Sequence, residues 1–128
     1  MITGVVTADR EPIIRLMVRG PTGREREIEA AIDPGFDGWL TLPHALIAQL
    51  ALPWRRRGRA VLADGSQCVF EIYEGTVLWD GRKRRIPVDG ADTGPLVGTA
   101  LLDGCELNVQ VRPAGKVTIK RLPGRRRP

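Results

Sequence analysis

The sequence predicts an all-β fold that contains one medium and one short helix. Short apolar runs recur between turn signals at a density typical of barrels and sandwiches. Two Asp-Gly steps, Asp64-Gly65 and Asp80-Gly81, each stand between runs of β-forming residues, which is a strong signal for a hairpin. The two helical segments cannot cover both faces of a parallel sheet, so the pattern argues against βαβ units.

Three strands are predicted in the first third of the chain. Residues 2–7 and 11–19 form a hairpin, because apolar and other side chains alternate within the second segment. Residues 26–32 form the third strand, and their apolar face consists of Ile28, Ala30 and Ile32. This strand runs directly into Asp33-Pro34-Gly35, where the chain must turn sharply.

The medium helix is predicted to begin at Thr41-Leu42-Pro43 and to end before Pro53. Pro43 suits the first helical turn, where its missing N–H costs nothing, and residues 45–51 are mostly helix formers. The apolar side chains of this region are candidates for the core: Trp39, Leu42, Leu46, Ile47 and Leu50.

The long strand of the second half covers residues 68–79, with a bend at Gly75. After Asp80-Gly81 the chain returns as a strand over 82–88. A turn at Asp-Gly favours this pairing because both central residues of the tightest hairpin turns need a positive φ.

The end of the domain combines a short helix with a last pair of strands. Residues 98–103 form the helix, which ends at Gly104. The strands 107–111 and 116–122 then pair with each other across a turn that contains proline and glycine.

The net charge of +5, from 20 basic and 15 acidic residues, is concentrated in clusters. The clusters are Arg55-Arg56-Arg57 with Arg59, Arg82-Lys83-Arg84-Arg85 and Arg125-Arg126-Arg127. They attract polyanions non-specifically, but one Tyr and two Phe make a thin platform for stacking bases. We interpret them as solvated strand edges and a basic disordered tail over 123–128, after a single domain over 1–122. Weak polyanion binding, and with it a nucleic-acid-associated protein, stays an open alternative.

The composition points to no membrane segment, metal or cofactor. No apolar run reaches the roughly 18 residues of a spanning helix, and the absence of a secretory signal pattern predicts a cytoplasmic location. Cys68, Cys105 and the single histidine, His44, do not make a zinc site of recognisable spacing. We expect His44 on the surface of the helix. No glycine-rich phosphate loop is present.

The segment around Asp33 resembles the active-site loop of the retropepsin-like (clan AA) aspartic proteases. That loop has two apolar residues, then Asp-Thr/Ser-Gly, and here Ala31-Ile32-Asp33-Pro34-Gly35 stands in its place. Residues 62–66 resemble the flap hairpin of the family, and 95–102 resemble its second apolar-apolar-glycine element with a short helix. Val117-Thr118-Ile119 resembles the terminal strand. The resemblance extends over most of residues 1–122 and is greatest to small bacterial members.

The resemblance implies a retropepsin-like acid-protease barrel that works as a homodimer on a polypeptide substrate. Asp33 of each subunit would contribute one catalytic carboxylate, and the pair would activate a water without a metal or cofactor. Pro34 and Gly35 would complete the active-site loop. The residues that would cover the substrate as the flap are Ala63, Asp64, Gly65 and Ser66.

Three residues complicate this interpretation. Asp92-Thr93-Gly94 spells the catalytic triplet of the family literally, but no apolar strand precedes it, so we interpret Asp92 as a turn residue. Asp37 is interpreted as a turn or capping carboxylate. Pro34 replaces the Thr or Ser of the family and has neither a hydroxyl nor a backbone N–H. Three outcomes stay open: a working protease, a slow one, or a catalytically silent module that binds peptides or dimerises.

Overall fold

The computed structural model describes residues 1–124 of the chain. The predicted tail over 123–128, with its cluster at 125–127, therefore falls mostly outside the described residues. In chain order the elements are β1 (Ile2–Val6), β2 (Pro12–Arg19), β3 (Glu25–Ile32), β4 (Leu40–Leu42), α1 (His44–Gln49), β5 (Trp54–Val61), β6 (Gln67–Trp79), β7 (Arg82–Gly90), β8 (Leu96–Val97), α2 (Thr99–Leu102), β9 (Cys105–Val109) and β10 (Lys116–Arg121).

The described strands form one sheet in the order β5-β6-β7-β4-β8-β3-β2-β1-β10-β9. A further antiparallel pairing joins β2 to β6, with Val18 opposite Val77. This pairing closes the strands β6, β7, β4, β8, β3 and β2 into a ring, so the fold is a barrel. The all-β prediction is confirmed.

Alternation of side chains along the strands places the core inside this barrel. In β2, Ile14, Leu16 and Val18 are at most 2% exposed, while the residues between them face outward. The predicted hairpin of β1 and β2 is confirmed, with Gly4 opposite Ile14. The predicted apolar face of β3 is also buried.

Both Asp-Gly steps turn the chain between antiparallel strands, as predicted. Asp80 and Gly81 both have positive φ, 50° and 80°, as a type I′ turn requires. Gly65 has a φ of 85° between β5 and β6. At Gly75 the β6–β7 register continues without a bulge, and the missing side chain leaves room for Leu52 and Val88.

The helix prediction is confirmed over 44–49 and wrong at its start. Leu40–Leu42 is the strand β4, which pairs in parallel with β7 and antiparallel with β8. Leu40 and Leu42 are fully buried between these neighbours. The expected core side chains are buried or pack against the core. Three residues are too short a run for alternation to be recognised in the sequence.

The C-terminal elements also follow the prediction in type, with shifted bounds. α2 is a short helix, and Gly104 beyond it has a φ of 81°. β9 and β10 pair antiparallel, with Val109 opposite Val117. The sequence did not predict that β10 would also pair with β1, nor the parallel pairs β3–β8 and β4–β7. No helix of the described residues is long and apolar enough to cross a bilayer.

Candidate active site

Asp33 lies at the point where β3 leaves the barrel. The parallel ladder with β8 sets its position, because Ala31 stands opposite Leu96 and Ile32 opposite Val97. The backbone N–H of Asp33 continues this ladder and donates to the Val97 carbonyl oxygen at 2.9 Å. The fully buried Val97 therefore holds the start of the Asp33 turn against the core.

The turn that follows directs hydrogen bonds onto Asp33. The N–H of Gly35 donates to the Asp33 carboxylate oxygen Oδ1 at 2.9 Å, and the N–H of Phe36 donates to its carbonyl oxygen at 3.1 Å. A side chain at Gly35 would come within 3.2 Å of Oδ1. The Asp33 residue is half-buried, whereas Pro34 is exposed. The loop thus presents one carboxylate at its surface and fixes its orientation from within the turn.

The second half of this loop, residues 36–39, is tied to residues 98–100 at the start of α2. The N–H of Gly98 donates to the Trp39 carbonyl at 3.0 Å, that of Thr99 to Phe36 at 2.9 Å and that of Ala100 to Gly38 at 3.1 Å. Only glycine fits at 98, because a Cβ there would stand 2.2 Å from the Gly38 carbonyl oxygen. The apolar-apolar-glycine element singled out in the sequence is therefore a structural partner of the Asp33 loop.

Asp37 lies within the second half of this loop, and a further carboxylate, that of Asp89, lies beside the loop. Asp89 is on β7, with its Oδ2 about 3.4 Å from where a Gly38 Cβ would be. Partial burial and the nearby negative charge of Asp37 raise the pKa of Asp89, and Arg56 partly offsets this. Asp89 was not among the predicted site residues, although it alternates with the buried Ile86 and Val88 and so had to face the other side of the sheet.

Asp92 and His44, 48 positions apart, form a contact that the sequence did not reveal. The His44 Nδ1 and Asp92 Oδ1 atoms are 2.8 Å apart, and the His44 backbone N–H is 3.4 Å from the same oxygen. These hydrogen bonds lower the pKa of Asp92. The Asp92 side chain is 80% exposed and lies in a bend, not at the end of a strand. Its surroundings differ from those of Asp33 in spite of the Asp-Thr-Gly sequence.

The hairpin of β5 and β6 ends in the turn 62–66, which contains the predicted flap residues. The Ser66 N–H and hydroxyl donate to the Asp64 carboxylate at 2.9 and 2.6 Å, and they lower the pKa of Asp64. Every residue from 59 to 69 is exposed. The tip is thus an ordered turn on a hairpin arm with no core of its own.

Ion pairs across the hairpin neutralise part of its basic cluster. The Trp54 indole N–H donates to Glu71 at 2.6 Å and Arg57 Nε lies 3.1 Å from the same carboxylate, so the pKa of Glu71 is lowered. Arg55 pairs with Glu74, whose pKa is lowered by this contact. Among residues 1–124, His, Cys, Asp and Glu side chains form no group of three suited to a metal ion.

No family model and no curated protein matches the sequence. A search of solved structures finds the EIAV protease in complex with the inhibitor HBY-793, with a TM-score of 0.55 and 16% sequence identity. The match covers 73% of this chain and 86% of the EIAV chain. The chain has a retropepsin-like fold. At this identity the likeness concerns the fold alone, and the roles of Asp33, of the Pro34-Gly35 turn and of the flap stay predictions.

Proposed function

We propose that the chain is an aspartic endopeptidase and that two copies form the active enzyme. Each copy would contribute Asp33 to one shared site on a two-fold axis, as expected for the small bacterial type of retropepsin. The observation that carries the proposal is the Asp33 turn, in which the carboxylate accepts the Gly35 N–H at the end of a buried strand. The retropepsin-like fold supports the same position for the catalytic group.

The chemistry follows from the closeness of two like charges. Two carboxylates held close together share one proton, as is established for aspartic proteases. One carboxylate then acts as base and the other as acid. The base takes a proton from a water, which attacks the peptide carbonyl, and the acid protonates the leaving amine. Residues 1–124 contain a single turn of this kind, so in the proposed enzyme the second carboxylate comes from a partner subunit.

Pro34 changes how the turn is held. A Thr or Ser at this position would offer a hydroxyl to brace the two loops, whereas proline offers no donor. The Gly35 and Phe36 N–H groups still bond to Asp33, and the fixed φ of proline stiffens the turn. We therefore expect an active but slow enzyme, because a site that is held less firmly loses rate.

The exposed hairpin arm supports the proposed binding mode. An extended peptide would add as a strand between the hairpin and the floor around Asp33. The exposed apolar side chains near the tip suit a cover for such a peptide, with Val61, Leu62 and Val69 at 73%, 51% and 56% exposure. Closure of the hairpin would exclude water from the reacting bond. The cytoplasmic location stays a prediction.

The proposal is tested by incubating the purified protein with an unfolded protein substrate between about pH 4 and 6, the range in which such a carboxylate pair works. We expect cleavage that is lost in Asp33→Asn and retained in Asp92→Asn, the matched control within an Asp-Thr-Gly sequence. Products must be scored on the added substrate, because the Asp33-Pro34 bond itself hydrolyses in acid. Cleavage that survives Asp33→Asn would place the site elsewhere.

A second candidate function, favoured by Pro34, is a silent peptide-binding or dimerisation module of the same fold. It predicts peptide binding without cleavage and no effect of Asp33→Asn. The nucleic-acid alternative is weakened by the pairing of Arg55 and Arg57 with glutamates. It predicts steeply salt-dependent polyanion binding that falls when residues 125–127 are deleted.

A further inference from the structure

A cavity of about 280 Å³ lies where β2, β3 and β8 meet the loops that precede β2 and β8. Its apolar lining includes Ile13, Ala31 and Leu96, and residues 93–95 also line it. Two charged residues line it, Glu11 and Glu29, and both are acidic.

Strand alternation predicts that the cavity and the Asp33 carboxylate lie on the same side of the sheet. Ala31 precedes Asp33 by two positions, so strand alternation places both side chains on one face, about 7 Å apart along the chain. Leu96 is opposite Ala31 in the parallel ladder, and the Ala31 N–H donates to the Pro95 carbonyl at 2.9 Å. A peptide strand bound with its reacting carbonyl at Asp33 would therefore direct the side chain next to that bond toward this cavity.

The charge of the cavity is opposite to that of the whole chain, which carries a net +5. Glu29 is 63% exposed, and its one ion pair within residues 1–124, with Arg15, is loose at 4.0 Å. The backbone N–H of Glu11 donates to the Thr7 hydroxyl at 3.1 Å, and its carboxylate has no ion pair within residues 1–124. Both carboxylates can therefore accept a cationic partner without losing a strong internal contact.

We propose that this cavity selects a long cationic side chain of the substrate, lysine or arginine, at the residue adjoining the reacting bond. This assignment rests on the proposed peptidase function and gives it a substrate class. The apolar lining contacts the methylene stem, and Glu11 and Glu29 bind the charged head. Lysine and arginine are the side chains that combine such a stem with a positive charge.

The test uses two fluorescein-labelled peptide libraries that differ only in one fixed position, lysine or norleucine. Binding to the Asp33→Asn protein is measured by anisotropy at about pH 6, where ordinary carboxylates are ionised, and cleavage is measured with the unsubstituted protein. We expect about five-fold tighter binding of the lysine library, the size expected of two exposed ion pairs. The preference disappears in Glu11→Gln/Glu29→Gln and persists in Glu27→Gln, a matched control on the same strand outside the cavity.

Each outcome decides one of the two proposals. Equal binding of both libraries, binding of neither, or a lysine preference that survives Glu11→Gln/Glu29→Gln overturns the cavity assignment. A lysine preference in binding without any cleavage supports the cavity and overturns the peptidase function. Cleavage without a lysine preference supports the peptidase and overturns the cavity. A preference that weakens as salt rises from about 0.05 to 0.5 M further supports the ionic contact.

Discussion

The floor of the candidate site, formed by β3, β4 and β8, and the β5–β6 hairpin are built from the same kind of sheet but held in different ways. In the floor, β4 and β8 lie between neighbours on both sides, and Leu40 and Val97 are fully buried. In the hairpin, β5 is an edge strand that pairs with β6 alone among the strands of residues 1–124, and the tip is exposed. The floor is stabilised by side-chain packing and backbone contacts, whereas the hairpin is stabilised by its ladder of hydrogen bonds, its turn and surface ion pairs.

This difference implies different roles for the floor and the hairpin. A site that holds a carboxylate in one orientation needs a rigid support. A cover that opens for a peptide must belong to the part of the molecule with low local stability. Substitutions in the floor should therefore reduce global stability, and substitutions in the hairpin should change local opening while global stability stays unchanged.

The largest effect is expected for Gly98→Val. The new side chain would collide with the Gly38 carbonyl and separate the Asp33 loop from α2, at a cost of about 3 kcal/mol or more. Urea unfolding measures this loss. Gly94→Ala is the control, because nothing lies within 4 Å of a Cβ at 94. Equal stability of both variants would contradict the role given to this contact.

A smaller loss is expected for Thr41→Val in the floor. Thr41 is 6% exposed, and its hydroxyl oxygen accepts the Leu96 N–H at 2.9 Å. Valine leaves this donor without a partner, at a cost of about 1–3 kcal/mol. The midpoint of thermal unfolding should decrease clearly for Thr41→Val and much less for Thr41→Ser, which keeps the acceptor. A valine variant as stable as the serine variant would show that the bond is unimportant.

Asp89→Asn should change the pH dependence of stability. Because its folded pKa is raised, the folded state holds the Asp89 proton more tightly than the unfolded state, and stability falls as the pH rises through the unfolded and then the raised value. Asparagine removes this penalty, so the variant should be slightly more stable at about pH 7, with the gain vanishing below about pH 4. Unfolding midpoints of both proteins across this pH range measure the difference in stability. A stability gain of the variant that grows in acid would contradict this prediction.

The hairpin should respond locally to Asp64→Ala. The change removes two bonds from Ser66, so the amide of Ser66 should exchange faster while the global unfolding midpoint stays the same. In the unsubstituted protein the lowered pKa of Asp64 means that these bonds are lost as the pH falls through that lowered value. Amide exchange by NMR tests both statements. A large fall in the global midpoint would contradict the division between floor and hairpin.

Local patterns in the sequence were enough to predict much of the fold. The alternation in β2 and β3 and the two Asp-Gly turns depend on neighbouring residues, and the structure has them where expected. The strands β4 and β8 were missed because they have three and two residues and gain their stability from distant partners. The pairing of β10 with β1 is equally non-local.

The same distinction applies to the candidate site. Asp33 could be singled out because an apolar strand, a turn and a family resemblance coincide within five residues. The contact of His44 with Asp92 and the proximity of Asp37 to Asp89 join residues about 50 positions apart, and no local pattern encodes them. The sequence did not predict the effect of Pro34 on rate, because in the proposed dimer this effect depends on contacts between two subunits.

The central claim is that two Asp33 carboxylates, one from each subunit, share one active site. Mixing the unsubstituted protein with a large excess of Asp33→Asn subunits tests it directly, with subunit exchange allowed before the substrate is added. If the site is shared, cleavage per unsubstituted subunit falls toward zero, because nearly every such subunit then has a partner without the second carboxylate. Cleavage that is unaffected by the excess would show that each chain acts alone and would contradict the account.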